Sequence, residues 1–422
     1  MSYAVQKTDG VEQNKLYSND TSVHDWYRFV LSYPPHLVRD YIGKFRLNSS
    51  HTVLDPFCGT GTTLVECKKN GIPSIGVETN PVVQMAASAK INWDIDISEL
   101  LRHSFVVAKE FNRLLTKYGT NLKTLNADKE KLIIRNSISP IPLHKSLVFI
   151  EALNNVKDQR FYDIERTAFA KQLVYSYSNL HFGPEVGVSR KKKIDVDVIG
   201  LWLEQIQKIA NDLTEYADLK NVPSTVYRGD SRKISDYLED NTIDSIITSP
   251  PYPNEKDYTR TTRLESVLLG FMGEKSDLRK HKENLLRSNT RNIYKGDDDE
   301  KWIERYPHIL ELAESIEAKR IELGKTSGFE RLYHKVVRNY FGGMARHLEE
   351  LKPLLRPGAK LEYVVGDQAS YFQIPIKTGS LLSDIAIDLG YELIGVDLFR
   401  TRLSTVTKKQ LREEVVLLKW RG

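Results

Sequence analysis

The apolar positions of the chain change period several times, and those changes mark out its elements. From residue 51 onward, short apolar runs alternate with stretches of helical period, the pattern of a parallel sheet covered on both faces. Residues 52–54 predict a strand running into a glycine-rich loop, and 62–70 a helix stopped by Gly71. A second strand is predicted at 74–77, ending at Glu78, and a helix of small residues at 81–90. The alternation then breaks, because 95–222 is polar, strand-poor and helical in pattern. It resumes with strands at 225–227 and 243–247, separated by a helix-like SRKISDYLED; a second charged helical stretch fills 275–350. A strand at 360–365, a helix at 380–389 and a hairpin-like pair at 391–398 and 413–419 close the chain.

The expected fold class is therefore α/β, a Rossmann-like doubly wound sheet of about seven strands with two helical insertions. The expected organisation is 1–94 with the glycine loop, 95–222 as the first insertion, and 223–422 as the remainder, with the second insertion at about 275–340.

Composition narrows the class only slightly. With 422 residues, 40% hydrophobic and 28% charged, the chain is long enough for a large core and ordinary for a globular protein. It has no apolar window of about 20 residues, and its first residues lack the apolar segment of a secretion signal. A cytoplasmic location without membrane contact is expected. The two cysteines, Cys58 and Cys67, make neither a disulfide framework nor a four-ligand zinc site. The histidines are scattered singly, so no metal is assigned. A net charge of +5 permits a polyanionic partner. Arg190, Lys191, Lys192 and Lys193 form a basic run beside Phe182-Gly183-Pro184, and another cation-rich run lies at 275–282. Such runs are usually solvated surface; the first could instead grip DNA phosphates.

Two loops carry the chemistry. In Asp55-Pro56-Phe57-Cys58-Gly59-Thr60-Gly61-Thr62-Thr63 the glycines let backbone approach a ligand, and the helix that follows offers free amides. The third glycine of a dinucleotide fingerprint is absent, since position 64 is Leu, and so is a P-loop lysine. Such a loop suits a ligand with an amino-acid end better than a pyrophosphate. Glu78, at the end of the next strand, can take both hydroxyls of a ribose. Asp230, in Arg228-Gly229-Asp230-Ser231, could accept the amino group of an adenine ring or cap the following helix. The second loop, Thr248-Ser249-Pro250-Pro251-Tyr252, follows an apolar strand. Pro250 and Pro251 stiffen the backbone and remove two donors, leaving Ser249 and the adjoining carbonyls as acceptors for an exocyclic amine. Tyr252 offers a face on which a base rotated out of a duplex can stack. Tyr258 and Arg260, in Asn254-Glu255-Lys256-Asp257-Tyr258-Thr259-Arg260, could line the base pocket or hold a flanking phosphate, or could simply begin a helix.

Together DPFCGTGTT, Glu78, GDS at 229–231 and TSPPY resemble the amino-methylating DNA methyltransferases, and the SPPY form resembles their cytosine-N4 branch. The resemblance covers roughly 24–94 and 225–275, and more weakly 340–422. It implies a seven-stranded S-adenosylmethionine-dependent fold, with S-adenosylmethionine as methyl donor and double-stranded DNA as substrate. It implies that Asp55, Phe57, Gly59, Thr60, Gly61, Thr62, Glu78 and Asp230 surround the donor, while Ser249, Pro250, Pro251 and Tyr252 hold the target base. The segment from His24-Asp25-Trp26-Tyr27 to Pro34-Pro35 resembles the one that closes over the donor's methionine end. Many cytosine-N4 enzymes carry their motifs in the opposite order, and the 95–222 insertion aligns with no part of the resemblance; both insertions are then candidates for DNA recognition, the first being the stronger. A restriction-modification setting follows from the resemblance and leaves room for a cognate restriction endonuclease.

Three alternatives stay open: adenine-N6 methylation, methylation of an RNA or protein amine, and a non-enzymatic DNA-binding subunit. Covalent attack at cytosine C5 is disfavoured. That chemistry uses a cysteine placed after proline, whereas Cys58 follows Phe57 and Cys67 follows Glu66.

Overall fold

A computed structural model describes residues 16–28, 32–182, 186–254, 256–403 and 408–422. Nine strands are present among them: β1 (Val53–Asp55), β2 (Ser74–Glu78), β3 (Leu180–Phe182), β4 (Val186–Val188), β5 (Ser224–Arg228), β6 (Ile243–Thr248), β7 (Leu355–Gly366), β8 (Glu392–Leu403) and β9 (Gln410–Lys419). Seven make one sheet in the order β5-β2-β1-β6-β7-β9-β8, and β3 and β4 form a separate hairpin. All neighbours in the large sheet are parallel except β9, which runs antiparallel between β7 and β8. The α/β class with a seven-stranded, mostly parallel sheet is thus borne out. The strand order reverses between β1 and β6, and an open α/β sheet binds ligands at the carboxyl ends of the strands flanking such a switch point.

Both faces of the central strands are buried, which explains why they read as continuous apolar runs rather than alternations. Val53 and Ile247 enter a core with α1 (Pro35–Phe45), while their neighbours Leu54 and Ile246 enter the opposite core. The first face also carries α2 (Thr62–Lys69) and α3 (Pro81–Ile91). Next come α4 (Ile97–Tyr118), α5 (Ala127–Leu132), α6 (Pro140–Asn155), α7 (Tyr162–Gln172) and α8 (Val198–Glu215). These helices occupy the segment 95–222 and share one apolar core with α2 and α3. That core runs from Cys58 and Leu64 to the stacked Phe149–Phe169 pair, whose centroids are 4.8 Å apart.

Two sequence expectations change. The helix-like SRKISDYLED is a 3-10 segment, Ser231–Asp236, broken at Lys233, because Arg232 folds back onto Asp230 instead of extending a helix. α9 (Tyr258–Thr261) and α10 (Arg263–Leu268) precede the charged stretch, which contains α11 (Lys275–Glu283), α12 (Pro307–Glu322) and nearly all of α13 (Tyr333–Leu351). α13 does not sit apart from the sheet. Val337, Phe341, Met344 and Leu348 bury it in the second core, beside α14 (Thr378–Asp388). Its exposed Lys335 and half-buried Arg338 and Arg346 disguise a sheet-covering helix as a solvated one. No described helix is long and apolar enough to cross a membrane.

Candidate active site

The glycine loop leaves the carboxyl end of β1 and turns on Gly59 (φ 51°) and Gly61 (φ 81°), both in the left-handed region where a side chain would strain the backbone. Gly61 starts α2, and the backbone amide of Gly59 donates to Glu78 Oε2 at 3.1 Å. The Asn80 amide donates to Glu78 Oε1 at 2.7 Å, so two fixed amides hold this carboxylate facing the cavity. Burial pushes its pKa up to about 7 despite these donors. Behind the loop, Cys58 packs against Gly76, where any Cβ would fall 2.8 Å from its Sγ. Burial raises the Cys58 thiol well above its usual range, the opposite of an activated nucleophile.

The proline loop leaves β6, the immediate parallel neighbour of β1. Its Thr248 hydroxyl donates to Asp55 Oδ1 at 2.6 Å, joining the two loops at their roots. The Ser249 hydroxyl donates to the Val364 carbonyl at 3.3 Å on β7 and also hydrogen-bonds the Tyr252 side chain, and a hydroxyl so placed keeps acceptor capacity for an incoming amine. The Tyr252 ring lies against Gly366, where a Cβ would come 2.9 Å from Cε2. Tyr258 hydrogen-bonds the Tyr252 backbone.

The segment before α1 closes one side. Ser32 Oγ is 3.3 Å from Thr60 Oγ1, and the Tyr33 hydroxyl meets Asp55 Oδ2 at 3.2 Å. Upstream, His24 is anchored to Glu66 at 2.7 Å, Trp26 Nε1 donates to Asp212 at 2.7 Å, and the Tyr27 hydroxyl donates to Glu265 at 2.7 Å. Ser32 and Tyr33 thus meet the glycine loop, while His24, Trp26 and Tyr27 are anchored on α2, α8 and α10; residues 29–31 lie outside the described residues.

Both loops open into one cavity of about 310 Å³. Phe57, Gly59, Thr60, Thr62 and Glu78 line one part of it, and Ser249, Pro250, Pro251, Tyr252 and Tyr258 another. Three expected donor-site residues stand behind the wall instead. Asp55 is buried by its bonds to Thr248, Tyr33 and the Phe57 amide, and burial raises its pKa to about 6. Gly61 is covered by Ala87, 3.4 Å from where a Cβ would sit. Asp230 caps the 3-10 segment by accepting from the Arg232 amide at 2.9 Å and binds the Arg232 guanidinium at 2.7 Å. Its neighbour Ser231 lines the cavity, supported by His347, which bonds the Ser231 carbonyl at 3.0 Å and Tyr363 at 2.8 Å.

Arg260 sits half-buried on α9 and does not reach the cavity wall. Arg190, Lys191 and Lys192 are exposed beyond β4, far along the chain from either loop; Lys193 spends its ammonium on the carbonyls of Tyr175 (3.2 Å) and Ser176 (2.7 Å). Gly183, Pro184 and Glu255, named in the sequence reading, lie outside the described residues. Sequence reasoning missed Asn80, Phe399, Arg400 and Glu413, which also line the cavity. Asn80 carried a usable signal, a polar residue directly before a helix-opening proline. The others sit on strands that pattern alone reads as structural.

Several known proteins are similar to this chain. Residues 5–88 match the family described as DNA methylase. Over 91% of its length the chain is 26% identical to the Type II methyltransferase M.BsoBI of Geobacillus stearothermophilus, covering 82% of that protein. It is 24% identical to M.AvaI of Anabaena variabilis over 87% of this chain and 79% of that protein. Among solved structures, the rRNA methyltransferase aviRa of Streptomyces viridochromogenes aligns over 96% of this chain and 94% of its own, at 9% identity and a TM-score of 0.32. The fold and the paired loops fit a methyltransferase. In sequence the chain is similar to amino-methylating DNA methyltransferases, for which S-adenosylmethionine is the implied donor and DNA the implied substrate.

Proposed function

We propose that the protein transfers a methyl group from S-adenosylmethionine to the N4 amino group of a cytosine rotated out of double-stranded DNA. The observation that carries this reading is the single cavity shared by the Glu78–Gly59 end and the Ser249–Tyr252 end. The donor fits the first end on chemical grounds. Glu78 presents a carboxylate to diol hydroxyls, and the turn on Gly59 and Gly61 leaves the amino end of α2 open to a carboxylate. When bound, the donor supplies an electrophilic methyl on a sulfonium.

The remaining work falls to the chain. Ser249, its own proton given to Val364, accepts an N–H of the target amine and so turns the nitrogen lone pair out of conjugation with the ring. Pro250 and Pro251 hold that acceptor still, and Tyr252 stacks on the base. The nitrogen forms the new C–N bond, the S–C bond breaks with its electrons passing to sulfur, and the surplus proton leaves to water. No cysteine is required, in keeping with the inert Cys58.

Asp55 and Asp230 shape the donor end from behind its wall, and Arg190 and Lys191, with Lys192 bonded to the Ser189 carbonyl beside them, are exposed cations offered to DNA phosphates. Relatives named as Type II methyltransferases support a Type II restriction-modification setting; a cytoplasmic location and a cognate endonuclease as partner belong to the same proposal.

Nuclease digestion of DNA treated with the enzyme, followed by mass spectrometry, tests the reading: N4-methylcytosine is expected. Finding N6-methyladenine alone would replace cytosine by adenine, and methylation of RNA but not duplex DNA would move the substrate altogether. Ser249→Ala and Tyr252→Ala should each lose at least about a hundredfold in kcat while binding the donor normally. Wild-type rates in both would sink the assigned chemistry.

A further inference from the structure

The far wall of the cavity is made by β8, at a place where its pairing is irregular. Leu398 pairs with Glu414 and Arg400 with Glu413, so Phe399 is an extra residue, a β-bulge. From Ile394 to Leu398, exposed and half-buried residues alternate along β8. The bulge breaks that alternation, and two successive side chains, Phe399 and Arg400, both line the cavity. A bulge beside a binding site re-aims side chains in this way.

Arg400 is held from behind. Its Nε donates to Glu413 Oε2, the adjoining carboxylate on β9, and Arg402 Nε lies 3.6 Å from the other oxygen of that carboxylate. Among the described residues Nη1 and Nη2 of Arg400 make no hydrogen bond, so two parallel donors remain. Arg400 and Glu413 both border Tyr252, which places them at the base end of the cavity rather than the donor end.

Resting on the cytosine reading above, we propose that Arg400, aimed by the bulge at Phe399 and fixed by Glu413, reads N3 and O2 of the extruded cytosine. On that edge cytosine carries the amine followed by two acceptors, the pair that guanine N1–H and N2–H occupy in the duplex. A guanidinium supplies two donors with a matching parallel geometry. Adenine offers N1 beside its amine and then a C–H, so one donor would be left unmatched in a desolvated site. A site built to hydrogen-bond a missing group rejects the analogue strongly. Ser249 would then select an amine, and Arg400 would select the ring that bears it.

The test uses the full chain and duplexes carrying its own methylation site, first mapped by single-base sequencing of genomic DNA, with cytosine or adenine at the target position. Arg400→Ala should lower kcat/KM on the cytosine duplex at least about tenfold and change the adenine duplex less than about twofold. Arg400→Lys, which keeps the charge but not the fork, should fall between. Affinity for S-adenosylhomocysteine, measured by calorimetry, and the melting temperature should stay at wild-type values. Glu413→Gln, whose amide oxygen still accepts from Nε, should retain most activity and Glu413→Leu should not, with the loss in KM for DNA. Wild-type kcat/KM on cytosine in both Arg400 variants would overturn the proposal, as would an equal loss on both duplexes. If the wild-type enzyme makes only N6-methyladenine, the cytosine reading itself fails, a result visible before any variant is made.

Discussion

The Thr248 hydroxyl donates to Asp55 Oδ1 at 2.6 Å, and this bond joins the roots of the two loops that carry the chemistry. Because β1 and β6 flank the point where strand order reverses, their carboxyl ends emerge side by side. A buried carboxylate needs every donor it has, and Asp55 has four: Thr248, Thr63, Tyr33 and the Phe57 amide. Thr248→Val keeps the shape and removes one donor to a charged acceptor, at a cost of about 1–3 kcal/mol. Urea unfolding should register that loss. Donor affinity and methylation rate should fall together, since one carboxylate orders both loops. A drop in methylation alone would show that the loops are independent.

Glu78 connects donor binding to pH. Its pKa in the folded protein is raised from the ordinary 4.5 to about 7 by burial. Between those values the folded state holds a proton that the unfolded state has released, so stability falls as pH rises from about 4.5 through 7. Glu78→Gln removes this dependence. The variant should be no more stable than wild type near pH 4, and should gain up to about 3 kcal/mol by pH 8. At pH 8 it should also bind S-adenosylmethionine at least about tenfold more weakly, having lost an ionised acceptor for the diol. Stability and binding would then move in opposite directions, a pattern expected of a carboxylate buried for function rather than for folding.

Asp230 illustrates what could be read from sequence and what could not. Its two local roles, ligand contact and cap, were both legible in Gly229-Asp230-Ser231. Neither the return of Arg232 onto it nor the second carboxylate, Asp299, which also binds Arg232, leaves a trace in the pattern. Asp230→Asn keeps the cap acceptor and weakens the buried pair. Unfolding free energy should drop by about 2 kcal/mol, with S-adenosylmethionine affinity changing less than about threefold. A loss above about thirtyfold in affinity with unchanged stability would instead put the carboxylate in contact with the donor.

The contrast extends to the whole fold. The central strands, the glycine loop and TSPPY were legible because each depends on local chemistry: two-faced burial, left-handed turns, paired prolines. α13 was obscured because Arg338, Arg346 and Glu349 crowd its solvent side while Phe341 and Leu348 sit in the core. Phe399, Arg400 and Glu413 were invisible because they reach the cavity through a pairing register between β8 and β9, and register is a property of two strands, not one.

Gly366 ends β7 under the ring of Tyr252, where a methyl group would fall 2.9 Å from Cε2 and 3.1 Å from Glu413 Cγ. Its backbone is ordinary extended strand, so alanine brings no conformational penalty of its own. The added methyl must therefore displace the ring, the Glu413 side chain, or both. Each belongs to the base end of the cavity, whereas Glu78 and Gly59 lie at the donor end, off β1 and β2. Gly366→Ala should bind S-adenosylmethionine as wild type does and lose on the order of tenfold or more in kcat/KM for DNA, since small misplacements of a reacting group are costly. Calorimetry for the donor and initial rates for methyl transfer separate the two ends. If donor affinity falls as far as the rate does, the cavity responds as one unit, and the division into a donor end and a base end is wrong.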